Sequence, residues 1–371
     1  MILHLLTNEQ FTDYAIEQFG APEMYSEFVL IPSNHENWKV KLIDRCNIIY
    51  QNSPKFKDLL ERLDQYTGII FHGMFWAKWQ RSILERVPKN VKVAWYFWGG
   101  EIYGRSDCDI PRYAPITKYI TQIHQWKSHA KKIDTSWELP VELYHRVDYC
   151  LTGEAEEYEF VKKFLNHNRM QFVWYTYYDI DATVGALKNA SYSGNNVIVG
   201  NSATATCNYF DVLPRLRGAL KPGQKVILPL SYGSPWIRNA VSKYAKFFLK
   251  EAAMPLFEYM PRNEYNTLLQ SCSVMIMDQY IPQAQGNILT GLWLGMRVYM
   301  SEKSIAYNFF KRLGCQIYSF ESEFKKYGLT PLPKEEVAEN RAVLMKWYSS
   351  EHVEQSVKDV VNILEGKNDD K

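Results

Sequence analysis

Long apolar runs, clustered cysteines and an excess of charge of either sign are all missing from this 371-residue chain. No apolar stretch approaches the ~18–20 residues that a membrane-spanning helix requires. The six cysteines lie about forty or more positions apart, which fits neither a zinc site nor a compact disulfide framework, so we expect reduced, buried thiols. Lysine and arginine number 43 against 41 acidic residues, and this balance argues against a protein that holds a nucleic-acid backbone.

The composition that remains is that of a folded protein, with 46% hydrophobic and 23% charged residues. The length predicts two domains. The segment Met1–Leu6 is followed by polar residues and has no basic leader, so we expect a cytoplasmic protein without a secretory signal. Aromatic residues reach 15%, and the many Trp and Tyr side chains suit sugar-binding clefts and membrane interfaces.

Short apolar runs alternate with amphipathic segments, a pattern that indicates βαβ units and parallel sheets. The predicted strands of the first half are Ile2–Leu6, Phe28–Ile31, Ile48–Tyr50, Gly68–Phe71, Val91–Trp98, Tyr149–Leu151 and Phe172–Trp174. Those of the second half are Val197–Val199, Lys225–Leu230, Pro255–Tyr259, Val274–Met277, Val298–Met300 and Gln316–Phe320.

A polar stretch over residues 176–196 separates the two sets of strands and is interpreted as a linker. We therefore predict an α/β protein of two doubly wound, Rossmann-like domains, residues 1–180 and 196–335, that face a central cleft. Residues 336–371 are predicted to form helices that pack back on the first domain. In such sheets ligands bind at the carboxyl ends of the strands.

Three segments of the second domain could bind a phosphorylated ligand. Gly200-Asn201-Ser202 follows a strand, and Gln285-Gly286-Asn287 opens an apolar helix. Tyr232 ends the next strand and could stack on a base or cap the crevice. Glycine allows close backbone approach, and hydroxyl groups and a helix amino end supply hydrogen-bond donors to phosphate. The plainer alternatives are an ordinary strand-to-helix turn, a turn tyrosine and a capped buried helix.

Two segments of the first domain could carry chemistry. His72 ends a strand before Gly73, and Glu101 follows a strongly apolar strand and two glycines. Apolar surroundings would raise the pKa of Glu101, which suits a general base for a sugar hydroxyl. A structural histidine and a capping or ion-paired glutamate are the alternatives, and Asp107 and Asp109 are weaker candidates.

The segment Lys118–Lys132 interleaves lysines with large apolar side chains, including Tyr119 and Trp126. Such a segment could lie on an anionic membrane face. A solvated helix that packs on its own domain is the competing interpretation.

Taken in order, these segments resemble the 4-acetamido-4,6-dideoxy-galactosyltransferase family (glycosyltransferase family 56), over about residues 68–305. The residues that carry the resemblance are Phe71-His72-Gly73 with Phe75, Trp98-Gly99-Gly100-Glu101-Ile102-Tyr103, Val199-Gly200-Asn201-Ser202, Leu228-Pro229 with Tyr232, and Gln285-Gly286. Glu101 stands where the family usually has Asp, and Ala203-Thr204-Ala205-Thr206 also departs from its pattern.

The resemblance implies a GT-B enzyme that needs no metal and no other cofactor. The second domain would bind a nucleotide-sugar, dTDP-linked, through Gly200, Asn201, Ser202, Tyr232, Gln285, Gly286 and Asn287. The first domain would bind the acceptor, a lipid-linked glycan or polysaccharide at the cytoplasmic face of the inner membrane, near Gly73, Trp98, Gly100 and Tyr103.

The leading hypothesis is therefore a glycosyltransferase that moves an amino- or deoxy-sugar, with Glu101 as base or acceptor orienter and His72 assisting. Epimerisation or hydrolysis of a nucleotide-sugar by the same fold is a second hypothesis. A non-catalytic nucleotide-sugar-binding subunit of a polysaccharide assembly complex is a third.

Overall fold

A computed structural model describes residues 1–9, 11–32, 38–75, 77–127 and 134–367. Numbered along the chain, the strands of these residues are β1 Ile2–Leu6, β2 Ser26–Leu30, β3 Asn47–Ile48, β4 Gly68–His72, β5 Lys92–Tyr96, β6 Tyr149–Thr152, β7 Gln171–Trp174, β8 Asn196–Val199, β9 Val226–Pro229, β10 Ala253–Leu256, β11 Cys272–Met277, β12 Arg297–Met300 and β13 Tyr318–Ser319.

The helices of the same residues are α1 Thr12–Phe19, α2 Pro54–Glu61, α3 Ala77–Leu84, α4 Gly100–Tyr103, α5 Pro115–Lys127, α6 Val141–Tyr144, α7 Ala155–Phe164, α8 Ile180–Val184, α9 Tyr209–Leu216, α10 Pro235–Leu249, α11 Arg262–Gln270, α12 Gln285–Leu294, α13 Ile305–Leu313, α14 Phe324–Tyr327, α15 Lys334–Tyr348 and α16 Ser350–Leu364. Each of the thirteen predicted strands is confirmed to within a few residues.

The chain divides into two compact units. The first comprises Met1–Cys108, Ile133–Asp179 and Ser350–Lys371, and the second comprises Asp109–Lys132 and Ile180–Ser349. The second unit thus takes in residues 109–132 and the first takes in residues 350–371, whereas the sequence placed the boundaries near residues 180–196 and at 335/336.

The first unit is built on a parallel sheet with the strand order β3-β2-β1-β4-β5-β6-β7. Every residue of β1 and β4 is buried, as expected for central strands of a sheet that helices cover on both faces. The last helix, α16, contributes Val357, Val360 and Leu364 to the core of this unit. A Cβ added to Gly68 would lie 2.7 Å from the Cβ of Leu364, so β4 and α16 pack in direct contact.

The second unit holds a parallel sheet with the order β10-β9-β8-β11-β12-β13. Its core joins the inner residues of β8, β9 and β11 to the apolar faces of α9 and α10. The α10 stripe predicted from the sequence is confirmed, because Ile237, Val241 and Ala245 are all buried.

Helix α5 belongs to the second unit because α9 holds its amino end. The Asp211 carboxylate of α9 accepts hydrogen bonds from the backbone N–H of Ile116 and of Thr117, both at 2.8 Å, and from the Thr117 hydroxyl at 2.7 Å. Just upstream, the Asn208 side-chain oxygen accepts from the N–H of Ala114. A carboxylate at a helix amino end satisfies donors that lack acceptors within the helix and favours the helix dipole.

We expect Asp211→Ala to destabilise the second unit by about 1–2 kcal/mol, because three hydrogen bonds to a charged acceptor are lost. Urea unfolding measures the change, and hydrogen exchange should accelerate selectively at the α5 amides. The exposed Asp58→Ala is the control for removing one carboxylate. Equal effects of the two substitutions would contradict the anchoring role.

Candidate functional site

In each sheet, one pair of neighbouring strands is followed by connections that lead toward opposite ends of the strand order. Doubly wound sheets bind their ligands at this position. In the first unit it lies between β1 and β4, and in the second between β8 and β11. His72 is the last residue of β4, and Gly200 directly follows β8. The sequence therefore placed one candidate segment at each of these two positions.

His72 lies in a buried hydrogen-bonded chain. One ring nitrogen pairs with Nδ1 of His4 on β1 at 3.1 Å, and the other pairs with the hydroxyl of Tyr177 at 2.8 Å. His4 in turn contacts Ser26 Oγ at 3.1 Å. Burial lowers the pKa of His72 to about 3 and that of His4 well below its usual value, so both rings are neutral at physiological pH.

The two predicted segments of the first unit pack against each other. Gly73 has φ of +94°, and a Cβ there would lie 3.0 Å from the Trp98 ring. A Cβ on Gly100 would lie 3.0 Å from Phe75 in the same way. Both glycines are therefore required for the close approach of the turns that follow β4 and β5.

The buried Glu101 carboxyl links these two turns by hydrogen bonds. Its Oε1 accepts hydrogen bonds from the Trp95 indole N–H and the Trp98 backbone N–H, both at 3.1 Å, and from the Met74 N–H at 3.4 Å. The side chain is 0% exposed, and within the described residues its Oε2 has no hydrogen-bond partner. Burial raises the pKa of Glu101 to about 7 despite these hydrogen bonds.

The sequence analysis missed two further buried carboxyl groups beside Glu101. Glu154 follows β6, and Glu157 lies in the first turn of α7. Glu157 accepts hydrogen bonds from Tyr103 Oη at 3.1 Å and Thr152 Oγ1 at 3.2 Å. Burial raises the pKa of Glu157 to about 7 and that of Glu154 well above its usual value. Thr152-Gly153-Glu154 repeats the pattern of a strand, a glycine and a carboxylate seen before Glu101, and this pattern was the available signal.

In the second unit, the turn after β8 depends on Gly200. Its φ is +65°, and a Cβ would lie 2.5 Å from the Tyr209 hydroxyl. That hydroxyl donates a hydrogen bond to the backbone oxygen of Ser202 at 2.9 Å and so holds the turn in place. Gly233 allows a comparable approach, because a Cβ there would lie 2.5 Å from the Ala203 carbonyl oxygen.

Asn201 is the centre of the hydrogen bonds at this edge. Its Nδ2 donates to the Tyr232 hydroxyl at 3.2 Å, while its Oδ1 accepts from Gln279 Nε2 at 3.2 Å and from the Cys207 thiol at 3.4 Å. The ends of β8, β9 and β11 are thereby joined. Tyr232 remains 61% exposed, so its ring is open to a ligand. Gln279 and Cys207 were not singled out in the sequence.

The third predicted segment opens α12 as expected. Ala284 precedes it with φ of +60°, no side chain caps the helix start, and the Ala284 backbone oxygen accepts from the Asn287 N–H at 2.9 Å. A Cβ built on Gly286 meets no atom within 4 Å, so there is open space beside this turn. Asn287 Nδ2 donates to the Tyr265 hydroxyl, and Gln285 Nε2 donates to the Tyr348 hydroxyl, both at 3.2 Å.

Asp278, directly after β11, was likewise not singled out from the sequence. It is 4% exposed, and its Oδ1 has no hydrogen-bond partner among the described residues. Burial, followed by the nearby carboxylate of Glu321, raises the pKa of Asp278 well above its usual value. Its backbone oxygen accepts from Asn208 Nδ2 at 2.6 Å, which ties the end of β11 to the start of α9.

Across the described residues, no group of three or more His, Cys, Asp or Glu side chains is arranged to hold a metal ion. The sequence does contain Asp-x-Asp triplets at Asp107-Cys108-Asp109 and Asp179-Ile180-Asp181. Asp107 pairs with Arg105 at 2.7 Å, and Asp181 pairs with Lys188 at 2.7 Å. Metal independence stays a prediction.

Solved structures similar to the chain are glycosyltransferases and related enzymes. A glycosyltransferase from Rickettsia africae matches with a TM-score of 0.64 and 11% identity, over 99% of this chain and 98% of that one. HepE from Anabaena in complex with UDP-glucose matches with a TM-score of 0.60 and 10% identity, over 98% and 99%. Sucrose-phosphate synthase from Thermosynechococcus elongatus matches with a TM-score of 0.61 and 9% identity, over 99% of each chain.

The fold is GT-B. No model of a known protein family matches the sequence, and no curated protein sequence matches it. At 9–11% identity these similarities establish the fold and leave the reaction open. The predicted roles of the individual site residues stay predictions.

The raised pKa of Glu101 predicts a pH-dependent stability. A carboxyl whose pKa rises from 4.5 to about 7 on folding stabilises the folded state below pH 4.5, and this contribution is lost as the pH rises through 7. The Glu101→Gln side chain cannot ionise. Between pH 5 and pH 8 we therefore expect the free energy of unfolding to fall less for Glu101→Gln than for the wild type, and the difference between the two should be about 3 kcal/mol at most.

Thermal unfolding across that pH range measures the difference. Glu159→Gln, at an exposed position of α7, is the control and should follow the wild type. Parallel curves for the wild type and Glu101→Gln would contradict the raised pKa.

Proposed function

We propose that the protein is a glycosyltransferase that takes its sugar from a nucleotide-diphosphate donor bound by the second unit. The observation that carries this proposal is the set of donors collected at the β8/β11 edge. It comprises the Gly200 turn, the amide of Asn201, the exposed hydroxyl of Tyr232 and the open first turn of α12.

These groups suit a diphosphate that leaves with negative charge. Backbone N–H groups and a helix amino end stabilise such charge without a metal, provided that they are fixed before the reaction. Tyr209 and Gln279 supply that fixation by holding Ser202 and Asn201. HepE, a protein with the same fold, has been seen with UDP-glucose, which supports a nucleotide-sugar as the ligand class.

The identity of the sugar and of the acceptor rests on the sequence resemblance. It favours a dTDP-linked amino- or deoxy-sugar and a lipid-linked glycan or polysaccharide acceptor at the cytoplasmic face of a membrane. We propose that the acceptor lies near Gly73, Trp98, Gly100 and Tyr103 in the first unit.

Glu101 is proposed to orient this acceptor region as a positioning residue. Its carboxyl joins the turns that carry Met74 and Trp98 and does not reach the solvent. A base that takes a proton from the acceptor would have to contact it directly. His72 is proposed to support the same turns as a neutral ring through Tyr177.

The donor site is tested by thermal shift with a panel of dTDP-, UDP- and GDP-sugars. A ligand that binds only the folded state stabilises it by about 2.7 kcal/mol at a hundred times its dissociation constant. We expect Gly286→Leu to fold with wild-type stability, because the added side chain enters open space, and to lose the nucleotide-induced shift.

Gly218→Leu is the matched control, since a Cβ there also meets no atom within 4 Å and the position lies away from the proposed site. Its nucleotide-induced shift should equal that of the wild type. If no nucleotide-sugar raises the melting temperature of the wild type, the proposed donor site is wrong. Donor turnover without any acceptor would instead favour an epimerase or hydrolase.

The role of Glu101 is tested by comparing two substitutions in a transfer assay. Glu101→Gln keeps an oxygen that can accept the same hydrogen bonds, so we expect transfer within about tenfold of wild type. Glu101→Leu leaves the Trp95, Trp98 and Met74 donors unsatisfied, and we expect the KM for the acceptor to rise while the KM for the donor stays constant. A folded Glu101→Gln protein that binds both substrates but has lost transfer would restore the role of base.

A further inference from the structure

Helix α5 exposes large apolar side chains to solvent, where the exposed face of a surface helix is normally polar. Ile116, Tyr119, Ile123 and Trp126 form an apolar stripe with the spacing i, i+3, i+7 and i+10. Tyr119 is 65% exposed and Trp126 79% exposed. The opposite face, which packs on the second unit, carries the buried hydroxyl side chains of Thr117 and Thr121 together with Ile120. A surface helix normally buries its apolar stripe.

The neighbouring helix α10 extends this surface. The rings of His124 on α5 and Trp236 on α10 stack with their centroids 3.9 Å apart. Trp236 is partly buried and packs against the core of the second unit, whereas Lys243, Phe247 and Lys250 follow it at helical spacing and are exposed. Phe247 is 74% exposed. We define the exposed residues of the two helices and of the position that follows α10 as the aromatic–basic face, which comprises Ile116, Tyr119, Trp126, Lys243, Lys246, Phe247 and Lys250.

The charged side chains of these two helices are all basic, although the exposed Glu251 directly follows Lys250. Helices α5 and α10 contain no Asp or Glu, although at 41 acidic residues in 371 two helices of 13 and 15 residues would carry about three. They carry Lys118, Lys127, Arg238, Lys243 and Lys246, and Lys250 follows directly. The acidic group at the start of α5, Asp211, is engaged by backbone N–H groups of that helix.

We propose that the aromatic–basic face docks on an anionic lipid bilayer. Trp and Tyr rings prefer the interface between lipid and water, and lysines beside them are attracted by anionic headgroups. Large exposed apolar side chains framed by charge of one sign favour a surface of the opposite charge over a neutral protein groove. The part of the chain that the structure describes has no helix long and apolar enough to cross a bilayer, so this would be contact with one leaflet.

Docking of this kind is independent of the donor chemistry proposed above. The sequence analysis placed Lys131 and Lys132 in the same segment, but both lie outside the described residues, and the proposal uses neither. Should the acceptor be lipid-linked, docking would also raise its concentration near the protein.

The test is sedimentation of the full chain with vesicles of phosphatidylcholine, either pure or with about a third phosphatidylglycerol. We expect binding to the anionic vesicles only, and a decrease of at least tenfold when the salt rises from 0.1 M to 0.5 M. Tyr119→Glu/Trp126→Glu and Lys243→Glu/Lys246→Glu should each weaken binding at least tenfold. Circular dichroism and thermal unfolding confirm that each variant is folded.

Met345→Glu and Lys334→Glu, on the exposed side of α15, are the matched controls and should bind as the wild type does. Absence of wild-type binding to anionic vesicles would overturn the proposal, as would equal binding by the α5 and α10 variants. A lipid-free dimer that Tyr119→Glu/Trp126→Glu converts to a monomer would also overturn it, because the face would then be an interface between copies of this chain.

Discussion

Parallel strand pairing is the constraint on which the rest of this structure depends. Because all strands of a sheet run in one direction, their following turns collect at a single edge, whatever their distance along the chain. Asn201 and Gln279 are joined by a hydrogen bond of 3.2 Å although 78 positions separate them. The same geometry brings the turns of Gly73 and Trp98 into contact in the first unit. Small residues with positive φ make these approaches possible.

The two edges differ in chemical character. The first collects buried carboxyl groups with raised pKa values, neutral imidazole rings and many aromatic side chains. The second collects amides, hydroxyl groups and the start of a helix, with one buried carboxyl group, that of Asp278. Amide and hydroxyl donors suit a diphosphate. This division supports the assignment of the phosphorylated ligand to the second unit.

The sequence predicted the strands well because both sheets are buried on two faces, and central parallel strands are then short apolar runs bounded by polar turns. It also identified the turns of Gly200 and Gly73, since glycine at a strand end is a local signal. Asp278 and Glu154 were missed because their importance comes from burial by distant segments, which a local pattern does not contain. The assignment of α5 to the second unit depends on Asp211, about 95 positions away, and was unavailable for the same reason.

The position of α16 has a consequence for how the chain matures on the ribosome. Leu364 packs on Gly68 at the centre of the first sheet, so that core stays incomplete until residue 364 has been synthesised. The second unit, whose segments end at Ser349, completes its contacts earlier. The segments of the first unit are therefore completed after those of the second, which reverses the usual order of co-translational folding.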